Sequence, residues 1–183
     1  MIVAIHQPNF FPWLGFFNKM AKADIFVYLD HVTNMPRKGI WPKRVKIIVD
    51  GEPNWLTIPI KKYKGQTVIP LNEFEINLDN KEIRKKLDTI RHSYGNAPYF
   101  EDVYPLLDKY FKMETNSLTI RNKCLINDIC NELRIQPKIF LSSELDCKFN
   151  SNELLIELIK KVEGSTYLAG DGAEGYQENE LFK

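Results

Sequence analysis

The run IVAIHQPNFFPWLGFFNKMAKADIFVYLD, residues 2–30, decides the fold. Ile2 to Ile5 is a short β-branched run of the kind a buried strand gives, and Pro8 and Pro12 forbid its continuation. A loop therefore follows at His6-Gln7-Pro8-Asn9. Pro12 suits a first helical turn, Leu14, Phe17, Met20 and Ala21 recur at helical spacing, and Asp24 closes the segment. Ile25-Phe26-Val27-Tyr28-Leu29 is a second strand, ending at Asp30 and His31. Strand, helix and strand within roughly 30 residues make a βαβ unit, which is parallel and right-handed in nearly every case.

Beyond Asp30 the character changes. Arg37, Lys38, Lys43, Arg44 and Lys46 lie in a Pro- and Gly-punctuated stretch with no acidic residue between Asp30 and Asp50, and Lys61, Lys62 and Lys64 extend the positive surface. Val45–Val49 and Trp55–Ile60 read as two strands around the turn-former Asp50-Gly51-Glu52-Pro53, an antiparallel hairpin expected to hang on the sheet. Asp79 with Glu82 resembles a capping box, and Ile83, Leu87, Ile90 and Tyr94 hold one helical face until Gly95 stops it. Two further helices are expected around Phe100–Lys112 and Ser117–Leu133. A short strand follows at Ile139-Phe140-Leu141, then a helix capped by Asn150 with Leu154, Leu155, Leu158, Ile159 and Val162 inward, then a strand from Thr166 to Ala169. The fold class is α/β: a two- or three-layer Rossmann-like mixed sheet that opens with a βαβ unit. It carries the hairpin at about 45–60 and a helical insertion or subdomain at about 80–133.

With 183 residues and 21.4 kDa the chain has the size of one domain, and 44% apolar with 27% charged residues is a globular composition. Twenty-five Lys plus Arg against 24 Asp plus Glu, a formal +1, supply no whole-molecule field toward nucleic acid or a membrane. Cys124, Cys130 and Cys147 are an odd set without metal-ligand spacing, so no disulfide framework or zinc site is encoded and a reduced, cytoplasmic setting is expected. The start lacks the basic lead of a signal peptide, and no apolar run is long enough to span a bilayer.

The strongest chemical signal is His6-Gln7-Pro8-Asn9 at the carboxyl end of the first strand, where open parallel sheets place their ligands. His6 there can be a general base, an oxyanion donor or a phosphate contact, or a half-buried structural histidine; residue types leave both open. Asp30, ending the neighbouring strand, can orient His6 or be a solvated strand-end acid. Arg44 and Lys43 suit a phosphate or carboxylate, with ordinary loop charge as the alternative. Trp41 and Trp55 offer a stacking surface or core packing. His31 begins a loop and is uninformative, and His92 reads as a surface residue. Gly170-Asp171-Gly172-Ala173-Glu174-Gly175 matches G-x-G-x-x-G literally, but it lies at the end of the chain, with no room for an acidic residue about 20 positions on. It reads as a tight turn near the crevice, with Gly170 and Gly172 as candidate contacts. Neither a dinucleotide nor a metal cofactor is indicated.

Taken in order, His6 to Phe16 with Lys19, Asp24 to Asp30, Arg44-Val45-Lys46 and Trp55 to Ile60 resemble the WbqC-like family. The likeness continues through Tyr94 to Phe100 and Thr166 to Gly170 with Tyr176, nearly the whole chain. The motif residues it carries over are His6, Gln7, Pro8, Asn9, Gly15, Lys19, Asp30, Arg44, Trp55 and Thr57. The resemblance implies a cytoplasmic role in bacterial gene clusters for O-antigen and other surface polysaccharides. The family does not keep the full glycine triplet, and its chains usually continue past the segment resembling Tyr176 to Phe182, so a C-terminal truncation is expected. The reading that follows is a transferase acting on a small-molecule substrate, acylating or aminoacylating an amino sugar carried on a nucleotide. His6 would take the amine proton, Asp30 would orient it, and Arg44 with Lys43 would hold the pyrophosphate. Gln7, Asn9, Lys19, Trp55, Thr57 and Tyr176 would line the substrate. Two alternatives stand beside it: an ATP-dependent nucleotidyltransferase, whose paired-histidine signature is missing, and a scaffold docking through the aromatic loop Phe10 to Phe17.

Overall fold

A computed structural model describes residues 1–34 and 40–170. In chain order these form β1 (Ile2–His6), α1 (Leu14–Ala21), β2 (Ile25–Tyr28), β3 (Thr33–Asn34), β4 (Arg44–Val49), β5 (Glu52–Thr57), β6 (Ile69–Pro70), α2 (Asn80–Tyr94), α3 (Phe100–Lys112), α4 (Leu118–Glu132), β7 (Lys138–Leu141), α5 (Ser151–Lys161) and β8 (Thr166–Tyr167). They fall into two compact units, one of residues 1–7, 13–31 and 130–183, the other of residues 8–12 and 32–129.

The first unit is built on a four-stranded sheet in the order β7-β2-β1-β8, every neighbouring pair parallel. β1 and β2 pair from Val3 opposite Ile25 to His6 opposite Tyr28, which realises the opening βαβ unit. Central parallel strands are covered on both faces, so they read as unbroken apolar runs, and Val3, Ala4, Ile5 and all of β2 are buried. α1 adds Phe16, Phe17 and Met20 and α5 adds Leu154, Leu158 and Ile159. Leu14, expected inward, is 83% exposed, because the helix begins one residue after Trp13 rather than at Pro12 and turns Phe16 to the core instead. Asn150 takes the extended cap conformation without a side-chain bond; the Glu157 carboxylate receives the Lys148 and Phe149 amides of the approach.

Gly164, between α5 and β8, has no room for a side chain. A β-carbon there would lie 2.2 Å from Val3 Cγ2 and 3.0 Å from Ile159 Cγ2. Gly164→Ala is expected to destabilise by about 1–3 kcal/mol through overpacking, read as a lowered urea midpoint at unchanged slope. A wild-type midpoint would mean that β8 is free to move off β1.

The second unit holds the hairpin, the short β3–β6 pair, and helices α2 and α3 with most of α4. The hairpin does not hang on the parallel sheet; β4 and β5 form a two-stranded sheet of their own. Its turn is shorter than expected, since Val49 pairs with Glu52 and only Asp50 and Gly51 lie between. Both have positive φ, 51° and 82°, the two-residue turn that matches strand twist and favours Asp-Gly. α2 carries the expected capping box, Asp79 Oδ1 accepting from the Glu82 amide at 2.7 Å, and ends against Gly95. The core of this unit gathers Phe10, Ile58, Leu71, Phe74, Ile90, Tyr110, Phe111 and Leu118.

Candidate functional site

Because the four strands run the same way, their carboxyl ends reach one edge of the first unit, and strand order changes direction at β1, with β2 on one side and β8 on the other. Such an edge is where parallel sheets take ligands. β1 delivers His6 and Gln7 to it. β2 is followed by Asp30 and His31, β7 by Ser142 and Ser143, and β8 by the stretch to Gly170.

His6 stands half-buried in edge-to-face contact with Trp13, ring centres 5.7 Å apart, and Phe16, 5.0 Å. Its Nδ1 is 3.0 Å from the Gln7 carbonyl oxygen, which only accepts, so Nδ1 carries the hydrogen and Nε2 keeps its lone pair. Burial lowers the imidazole from 6.5 to about 4, the Gln7 bond opposes this, and the Lys19 charge adds to it. At neutral pH His6 is therefore an uncharged ring whose Nε2 meets no hydrogen-bond partner among the described residues.

Lys19, on the last turn of α1, donates to the Ile5 carbonyl at 3.0 Å and lies 5.7 Å from the centre of the Tyr167 ring. Burial pulls its ammonium from 10.5 to about 8. A β-carbon on Gly170 would stand 3.8 Å from Lys19 Nζ, so the backbone after β8 passes beside the cation.

Asp30 does not orient His6. Its side chain turns to the β7 side, where Oδ1 accepts from Ser142 Oγ at 3.1 Å and the Ser143 amide at 3.0 Å, and Oδ2 accepts from Ser143 Oγ at 3.0 Å. His31 joins this group through Nδ1, 2.6 Å from Ser142 Oγ. Sequence reasoning missed His31, Ser142 and Ser143. The available signal was polar residues immediately following two apolar runs that both end at the same sheet edge.

In the second unit Arg44 lies 3.9 Å from the centre of the Trp55 ring, Lys46 Nζ 5.3 Å from it, and Trp41 stacks obliquely on Trp55 at 5.8 Å. Lys46 faces Trp55 and Arg44 faces Thr57 across the hairpin, so one face is cationic and aromatic. Burial, with Arg44 close by, lowers the Lys43 ammonium from its usual range. Among the described residues no three His, Cys, Asp or Glu side chains come together as a metal ion needs, and no helix is long and apolar enough to cross a membrane. Arg37, Lys38, Gly172 and Tyr176 lie outside the described residues.

Asn9 is 2% exposed, yet neither Oδ1 nor Nδ2 meets a partner among the described residues. Its neighbours are fixed: Asn122 Nδ2 donates to the Pro8 carbonyl at 2.8 Å, and the Phe10 amide donates to the Trp41 carbonyl at 3.2 Å. Asn122 also donates to the Pro42 carbonyl and accepts from Tyr110 Oη. The two asparagines therefore behave oppositely on truncation. Asn122→Ala, which strands three partners, is expected to cost about 2 kcal/mol, and Asn9→Ala no more than about 0.5 kcal/mol, since it removes an amide with no partner among the described residues. Chemical denaturation of both variants checks this; equal losses would mean that Asn9 is paired in solution.

A parallel α/β sheet whose carboxyl edge carries a neutral histidine, a half-buried lysine and a hydrogen-bonded Asp-Ser-Ser cluster defines the class: an α/β protein with a polar site at the strand ends. The chain belongs to the WbqC-like protein family, whose model matches residues 7–183. It is similar to the uncharacterised protein Rv1507c of Mycobacterium tuberculosis, 25% identical over 181 residues, 98% of this chain and 77% of that protein. No solved structure gives a significant match.

Proposed function

We propose that the protein is a cytoplasmic transferase of bacterial surface polysaccharide (O-antigen) assembly that acylates or aminoacylates the amino group of a nucleotide-linked sugar. The observation that carries this reading is that His6, its Nδ1 on the Gln7 carbonyl, and Lys19, its Nζ on the Ile5 carbonyl, both lie at the end of β1. An uncharged imidazole with an open Nε2 accepts a hydrogen bond from a substrate amine and keeps its lone pair directed at an acyl carbon. A nearby ammonium stabilises the oxyanion that forms on that carbonyl. Gln7 and Gly170 contact the substrate at the same edge. In the second unit, taken by itself, Arg44 and Lys43 suit a pyrophosphate, Trp41 and Trp55 a base or sugar face, and Thr57 a polar contact, whereas Asn9, expected to line the substrate, is buried away from it.

Titration calorimetry with UDP- and dTDP-linked amino sugars tests the substrate class, and His6→Ala tests the chemistry. Binding by the native protein, with pathway product lost in the variant, is expected. No affinity for any nucleotide-sugar, with His6→Ala leaving product unchanged, would sink both halves. One observation favours a second reading: Trp13 and Leu14 are adjacent and 51% and 83% exposed, as a scaffold docking onto the glycan-assembly machinery would need. Co-purification with a partner and no turnover would select it.

A further inference from the structure

His31 is tied into a hydrogen-bond chain whose proton positions follow from counting. Ser142 Oγ has one hydrogen and two lone pairs, and three groups meet it: the Asp30 amide at 3.0 Å, Asp30 Oδ1 at 3.1 Å and His31 Nδ1 at 2.6 Å. A carboxylate oxygen only accepts, so the hydroxyl hydrogen goes to Oδ1. The amide takes one lone pair. The remaining lone pair must receive a hydrogen from His31 Nδ1. The tautomer is thereby set, and Nε2 is left as the working atom of a half-buried ring, with no hydrogen-bond partner among the described residues.

Asp30, at the other end of this chain, is 3% exposed, and its carboxylate makes no ion pair among the described residues. Its three hydrogen bonds come from serine groups, and one of those hydroxyls, Ser142 Oγ, also meets His31. His6, by contrast, is enclosed by aromatic rings beside a lysine and resists taking a proton. The two imidazoles leave neighbouring strands at the same sheet edge but are built for different work.

Resting on the transferase reading above, we infer that His31 is the residue that carries the proton in the reaction, with Ser142 and Asp30 as its positioning residues and His6 as the acceptor that aligns the amine. The co-reactant is an activated acyl thioester or ester. The amine lone pair forms the new C–N bond, the carbonyl electrons move to oxygen and return, and the bond to the leaving sulfur or oxygen breaks. The surplus proton on nitrogen passes to His31 Nε2 and from there to the leaving thiolate or alkoxide. Products are the amide and the free thiol or alcohol, and both rings return to their starting state.

Two measurements test this, the first of them independent of the substrate. In nitrogen-15 imidazole spectra of the ligand-free protein, His31 is expected as the Nδ1-protonated tautomer, relaxing in Ser142→Ala to the ordinary mixture; an Nε2-protonated ring in the native protein overturns the inference. In turnover of UDP-linked amino sugars with acetyl-coenzyme A or an aminoacyl ester, His31→Ala is expected to lose about a hundredfold in kcat. Added imidazole should then restore at least part of that rate, which a purely structural role would not allow. Wild-type turnover by His31→Ala overturns the inference and leaves the transferase reading standing. No turnover by the native protein, with the tautomer as expected, overturns the transferase reading and the catalytic role together.

Discussion

Replacing Arg121 with alanine is expected to destabilise the protein by about 3–5 kcal/mol. Arg121 is 4% exposed, and its guanidinium has no acidic partner among the described residues. Its hydrogens go instead to backbone oxygens at and just beyond the end of α3: Tyr110, Phe111 and Met113, with Thr115 at 2.7 Å through Nε. The last carbonyls of a helix have no partner within it, and together they form the negative end of its dipole. One fixed, planar fork of donors from α4 satisfies several at once and is neutralised by them. Alanine leaves those oxygens buried and unmet and opens a cavity. Lysine, a point charge that cannot fork, should recover less than half of the loss. Urea unfolding measures both, and a loss under about 1 kcal/mol for Arg121→Ala would show that the α3 terminus is solvated rather than clamped.

Acidification is expected to remove about 3 kcal/mol through His6 alone. The unfolded chain protonates this imidazole near 6.5, the folded protein only near 4. Between those values the unfolded state binds the extra proton, so stability rises with pH there. The contribution is fully present above about 6.5 and fully lost below about 4. Lys19 acts with the same sign at the other end of the scale: its lowered value makes burial of the ammonium a cost below about 8 that disappears as pH rises toward 10.5. His6→Phe keeps a ring against Trp13 and Phe16 but cannot titrate. Comparing unfolding free energies at pH 7 and pH 4, the variant should lose about 3 kcal/mol less than the native protein, other groups cancelling. Identical losses would place His6 in water rather than among the rings.

Local pattern carried most of the elements. α3 spans Phe100–Lys112 as its periodicity implies, Asp79 and Glu82 close their capping box, and the run from Ile2 to Asp30 folds as strand, helix and strand. Each of these depends on neighbours a few residues apart, where propensity, spacing and caps act directly. The hairpin turn was misplaced by two residues because Glu52-Pro53 resembles a turn, whereas the positive φ available to Asp50-Gly51 closes the ladder sooner. Side-chain partners were less legible. Asp30 sits at the strand end where it was expected, yet β2 lies between β1 and β7, and its carboxylate found two serines 112 and 113 residues away instead of His6.

The sequence by itself determined that a parallel α/β core opens the chain and that His6 stands at its carboxyl edge, because buried strands and proline-stopped loops are written in residue type and order. Only the tertiary structure decided which groups share that edge, since strand order and side-chain direction depend on contacts more than a hundred residues apart. It moved Asp30 from His6 to Ser142, brought His31 into hydrogen-bond reach of that serine, and left Asn9 buried with no partner for its amide among the described residues. The placements of Asp30 and His31 follow from the rule that polar groups removed from water must find partners, which both meet at Ser142.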